Sequence, residues 1–138
     1  METRTPDARV ILIAERDRNV RELQRYFLEK AGLVVEFADD GEAALGRAQL
    51  IHPAVVVTEI LIPKVDGLTL CRRLREDPTT CDVPVIVFSI LAAAARAAEA
   101  GAKAFLRKPF VESIFVAAVE DVIAAQPSRA MEEQWASA

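Results

Sequence analysis

The sequence predicts a doubly wound α/β domain, a five-stranded parallel sheet with helices on both faces. Three observations carry this. Five short apolar runs, rich in valine and isoleucine, show almost no inside–outside alternation, as expected of strands buried on both faces. Segments with one apolar stripe at helical spacing lie between them. The two textures alternate strictly, which calls for right-handed crossovers around one sheet. The length of 138 residues fits one domain.

The predicted strands are Val10–Ala14, Val34–Ala38, Ala54–Thr58, Val85–Phe88 and Ala104–Leu106. Helices are predicted at about residues 17–31, 41–51, 67–76, 92–100 and 111–125. In the first, Val20, Leu23, Phe27 and Ala31 form the stripe, and Gly32 follows as a stop; in the last, Phe115, Ala118, Val119 and Val122 do. Asp17 suits the start of the first helix, and Asp39-Asp40 before Gly41 reads as a turn and N-cap. The run Leu91–Ala102, nearly all alanine, reads as helix from propensity, with Gly101 as its stop. The domain is expected over residues 9–125, with an N-terminal extension at 1–8. A C-terminal tail covers 126–138 and carries Trp135, which reads as a frayed end.

Composition excludes several functions. Hydrophobic residues at 52% against 28% charged support a packed core rather than disorder. A net charge of -4 argues against nucleic acid or an anionic membrane as primary partner. No apolar run approaches the ~18–20 residues of a membrane span, and the first residues lack a signal-peptide core, so a cytoplasmic location is expected. Cys71, Cys81 and His52 make neither a disulfide framework nor a zinc site, and both thiols read as inert. The loop after the first strand, ERDRNVRE, has no glycine, which removes nucleotide and flavin binding; no cofactor is expected.

In such sheets the site lies beyond the carboxyl ends of the strands. Those ends, taken in order, resemble the response-regulator receiver domain of two-component signalling, of flavodoxin-like fold. VILIAERD places Glu15 and Arg16 at the family's acidic pair. HPAVVVTEILIPKVDGLTL places Glu59 at the phosphoacceptor aspartate. VPVIVFS places Ser89 at the switch hydroxyl, and GAKAFLRKPF places Lys108 at the lysine and Phe105 at the switch aromatic. The resemblance implies phosphoryl transfer to a carboxylate with a divalent metal, and a cis peptide before Pro109.

The departures from that pattern point elsewhere. Glu59 moves its carboxylate by about 1.5 Å, one C–C bond, and a misplacement of about 1 Å costs on the order of a hundredfold in rate. Arg16 stands where the resemblance puts a metal ligand, and its fixed charge opposes a divalent cation. The expectation is a degenerate pseudo-receiver with no metal. Arg16 would pair with Glu59, and Glu15, Arg16, Glu59 and Lys108 would sum to zero. It would act through phosphorylation-independent protein–protein interaction, in trans or as a homodimer. The expected face is the fourth helix, fifth strand and fifth helix, with Ala92, Ala95, Arg96, Phe105 and Glu112.

Two alternatives stand beside this reading. One is a phosphorelay regulator still responsive to phosphoryl groups, with Asp66 as another acceptor. The other is a hydrolase using Ser89 as nucleophile and Lys108 as base, although no nucleophile elbow is present. Arg18, Arg21 and Arg25 are interleaved with acids and read as a solvated helix face.

Overall fold

The computed structural model describes residues 10–126. The N-terminal extension 1–8 and the tail from 127, including Trp135, lie outside the described residues. The elements are β1 (Val10–Ala14), α1 (Arg18–Lys30), β2 (Val34–Ala38), α2 (Gly41–Ile51), β3 (Val55–Thr58), α3 (Gly67–Glu76), β4 (Val85–Ser89), α4 (Ala94–Ala100), β5 (Ala104–Arg107) and α5 (Glu112–Ala124). All strand pairings are parallel, in the order β2-β1-β3-β4-β5.

Because side chains alternate along each strand, the continuous apolar runs feed two cores. Leu12, Val56, Val85 and Val87 pack with Ala48 of α2, Leu70 and Leu74 of α3, and Ala97 of α4. Ile11, Ile13, Val57, Ile86 and Phe88 pack with Leu28 of α1 and Phe115 and Val119 of α5. The chain leaves β1 toward β2 on one side and returns to β3 on the other. The switch point therefore lies at the carboxyl ends of β1 and β3, immediately before Glu15 and Glu59.

Local chemistry sets the helix ends. The carboxylate of Asp17 accepts from the N–H groups of Asn19 and Val20 at 2.9 and 3.2 Å, and that of Asp40 from Ala43 at 2.7 Å. Two elements differ from the sequence reading. α4 has seven residues and starts at Ala94, two residues after the expected 92, and no side chain caps its start at Ala93. Propensity favours helix there, but the backbone N–H of Leu91 turns back to Ser89 Oγ at 3.2 Å, and the chain enters the helix only afterwards. In α1, Leu23 is exposed and Gln24 is fully buried, with no partner for its amide among the described residues. The stripe is rotated by about one residue, toward Gln24 and Leu28, where α1 packs against β2 and α5.

The loop from β3 to α3 folds back tightly. Gly67 N–H donates to the Ile60 carbonyl at 2.9 Å, and Gly41 N–H of α2 to the Pro63 carbonyl at 3.1 Å. A Cβ on Gly67 would overlap the Glu59 carbonyl oxygen. Gly67→Ala should therefore cost about 1–3 kcal/mol through overpacking, measured as a lowered urea midpoint with an unchanged slope.

Candidate functional site

Four strands converge on one buried cluster. Glu15 follows β1, Glu59 follows β3, Ser89 ends β4 and Lys108 follows β5. Glu15, Glu59 and Ser89 are 2%, 5% and 0% exposed, and the Lys108 side chain is 12% exposed. The Lys108 ammonium lies 3.0 Å from Glu15 Oε1 and 3.0 Å from Glu59 Oε2, bridging the two carboxylates. It also sits over the Phe88 ring, 5.4 Å from the centroid. Its backbone N–H donates to the Ser89 carbonyl at 2.8 Å, and the peptide to Pro109 is cis, as the resemblance implied.

The remaining carboxylate oxygens are taken as well. Glu59 Oε1 accepts from the Ser89 hydroxyl and from the N–H of Ile60 at 2.7 Å. Glu15 Oε2 accepts from the N–H of Asp17 at 3.1 Å. All four oxygens of the two acids thus have donors, which is the condition for keeping two carboxylates out of water.

Burial pushes the Glu59 carboxyl up, but the Ser89 and Lys108 hydrogen bonds, the ammonium charge and the Ile60 N–H outweigh it. The group is held below its ordinary value. Burial likewise works against the charged Lys108, and the two glutamates overcome it and raise its value.

Arg16 departs from the expected arrangement. It is exposed and makes no ion pair or hydrogen bond with Glu59 among the described residues. The partner of Glu59 is Lys108, so the buried cluster carries two negative charges and one positive rather than summing to zero. The reason is positional: in the short link between β1 and α1, Glu15 is buried and Arg16 is exposed. With Glu15 pointing into the pocket, Arg16 points out.

A different arginine organises this edge. Arg21 Nε donates to the carbonyl of Glu15, and its Nη2 to the carbonyl of Ala38 at 3.0 Å and to Asp39 Oδ1 at 2.9 Å. It clamps the ends of β1 and β2 while lying over Phe37 at 5.1 Å. The interleaved charges of α1 hid this role. The only available signal was that Arg21 comes one turn after the Asp17 cap, on the side facing the strand ends.

Phe105 is half-buried and packs against the core shared by α2, α3 and α4. Asp66, the other acceptor considered, caps α3 by accepting from the Thr69 N–H at 2.9 Å and hydroxyl at 2.8 Å. The Ser89–Lys108 couple needed for a hydrolase does not form. The hydroxyl donates to Glu59, and the ammonium is held by the carboxylates. Cys71 is buried with its thiol pushed up to about 11 by burial, and His52 Nε2 lies 3.0 Å from Asp82. On the proposed partner face, Ala92, Ala95 and Arg96 are exposed. Glu112 is exposed as well, and its carboxylate lies 3.8 Å from the Lys30 ammonium of α1.

This arrangement of strand ends has relatives. The response regulator receiver domain matches residues 11–120. The chain belongs to the response regulator receiver family. This receiver is 36% identical over 103 residues to the DNA-binding dual master transcriptional regulator RpaA of Synechocystis, covering 72% of this chain and 43% of that protein. It is 32% identical over 118 residues to the response regulator PleD of Caulobacter vibrioides, covering 83% and 26%. The chain thus spans less than half the length of these curated relatives. Among solved structures, a putative response regulator from Chloroflexus aurantiacus superposes with a TM-score of 0.80 at 33% identity, covering 84% of this chain and 98% of that one. The signal receiver domain of a histidine kinase from Syntrophus aciditrophicus also gives 0.80, at 28% identity, covering 88% and 96%. No helix among the described residues is long and apolar enough to cross a membrane.

The cluster sets a pH dependence. The low-lying Glu59 stabilises the fold above its unfolded value near 4.5, and that stability is lost as pH falls through the still lower folded value. Raised Lys108 contributes below its unfolded value near 10.5, and its contribution is lost as pH rises through the higher folded value. Urea midpoints should fall on the acid side, and Glu59→Gln should flatten that limb. Lys108→Met leaves two buried carboxylates without their cation and should cost about 3–5 kcal/mol at neutral pH.

Proposed function

We propose that this receiver acts by phosphorylation-independent protein–protein interaction, with its acidic pocket satisfied from within. One observation supports the reading above others. The Ser89 hydroxyl, the Lys108 ammonium and the Ile60 N–H already hold the Glu59 carboxylate. These donors face the strand-end carboxylate, where an incoming anion would need them. The extra methylene of glutamate lets the side chain reach them itself.

The divalent cation that the family implies does not fit this donor set. Glu15 and Glu59 each give one oxygen to Lys108 and the other to hydroxyl or backbone donors. A cation would have to displace the ammonium from both, and Arg16 offers no oxygen in place of a third acid. We assign no metal and no phosphoryl transfer to this pocket.

The output we propose is binding of a protein partner through α4 and β5, with Ala92, Ala95, Arg96 and Phe105. Small side chains on α4 allow a partner helix to approach closely. RpaA is a DNA-binding regulator, but the matched part spans only 43% of it. For the present chain a net charge of -4 favours protein over nucleic acid.

An amide NMR titration with magnesium, then with magnesium and beryllofluoride, tests the reading. The expected result is no saturable shift at Glu15, Glu59, Ser89 or Lys108 at millimolar ligand. Saturable shifts spreading to Phe105 would overturn it. Ser89→Ala should leave the titration silent while costing about 1–3 kcal/mol from an under-satisfied buried carboxylate, read from urea denaturation.

A further inference from the structure

The last described residue, Gln126, lines a groove of about 440 Å³ between β5 and the final two turns of α5. Its floor is apolar, formed by Ala104, Ala118, Val122 and Ala125, with Asp121 and Lys103 at its rim. Among the described residues β5 is an edge strand, and no further strand pairs with it on this side. Arg75, Lys103 and Asp82 line the adjoining cavity at the amino ends of the strands; Asp82 lies 3.0 Å from His52, and neither cation has an acidic partner among the described residues.

The twelve residues that follow read PSRAMEEQWASA. They carry two large apolar side chains, Met131 and Trp135, on a segment otherwise small or polar. Their charges also run opposite to those of the groove. Arg129 comes three residues after Gln126, within reach of Asp121, and Glu132 and Glu133 follow where Lys103 and Arg75 could receive them. Reach is no obstacle. Trp135 is nine residues past Gln126, up to about 30 Å of extended chain, whereas the α5 wall from Ala118 to Ala125 is about 10 Å long.

We propose that residues 127–138 occupy this groove in cis, with Met131 and Trp135 against Ala104, Ala118 and Val122, and with Glu132 and Glu133 over Lys103 and Arg75. The segment then covers the β5–α5 side of the domain. It competes with any partner approaching β5 from that side, and leaves the exposed face of α4 open.

Trp135 is the only tryptophan, so its fluorescence in the full chain reports on this segment alone. The expected emission is blue-shifted from that of a solvated tryptophan and is independent of protein concentration, with reduced acrylamide quenching. Lys103→Glu, an exposed position that leaves the core untouched, should move the docking equilibrium about twofold to fivefold toward the solvated form. Adding Glu132→Lys and Glu133→Lys to that variant should return the protected signal. Solvent-like emission in the unaltered chain would overturn the proposal. So would protection that survives both Lys103→Glu and Ala118→Glu, or protection that grows with protein concentration, which would assign the groove to a second copy.

Discussion

The Lys108 ammonium held between Glu15 and Glu59 is the interaction on which the functional end of this molecule depends. It joins residues following three different strands, and the ammonium meets one oxygen of each buried carboxylate. Removing the cation leaves two carboxylates facing each other in a low-dielectric pocket. Removing either acid leaves the cation half-paired over Phe88. The surrounding donors, Ser89, the Ile60 N–H and the Asp17 N–H, complete the requirement that every buried oxygen be met.

The rest of the fold holds this cluster in register. The parallel sheet brings the carboxyl ends of β1, β3, β4 and β5 to one edge, and the two apolar cores fix the strands from both faces. Arg21 ties the ends of β1 and β2 together through backbone carbonyls, so the main chain at Glu15 is held independently of its side chain. The tight β3–α3 loop does the same for Glu59, where Gly67 passes too close for any side chain. Ser89 sits between the pocket and the entry to α4, giving its hydroxyl hydrogen to Glu59 and accepting from Leu91. The pocket is thereby connected to the helix proposed for partner binding.

The family scaffold holds this cluster between its two apolar cores. The Glu59 side chain reaches the Ser89 hydroxyl, the Lys108 ammonium and the Ile60 N–H. Arg16 is exposed and supplies no cation to the buried cluster. Neither Glu59 nor Arg16 contributes to the apolar cores.

The sequence by itself determined the strand–helix order, the strand cores and four residues of the pocket, Glu15, Glu59, Ser89 and Lys108. These rest on local signals: apolar runs, helical periodicity, caps such as Asp17 and Asp40, and residue types at strand ends. It placed Arg16 there as well, which the structure does not. Which charges would meet was decided by the tertiary structure. Lys108 is 93 residues from Glu15 in the chain, and no local pattern says whether it or Arg16 reaches Glu59. The answer depends on the turn after β1, which sends Glu15 inward and Arg16 outward. The same holds for Arg21, whose clamp depends on the first turn of α1 sitting beside the carboxyl ends of β1 and β2. It holds too for the entry to α4, where the Leu91 N–H turns back to Ser89 and the helix begins at Ala94.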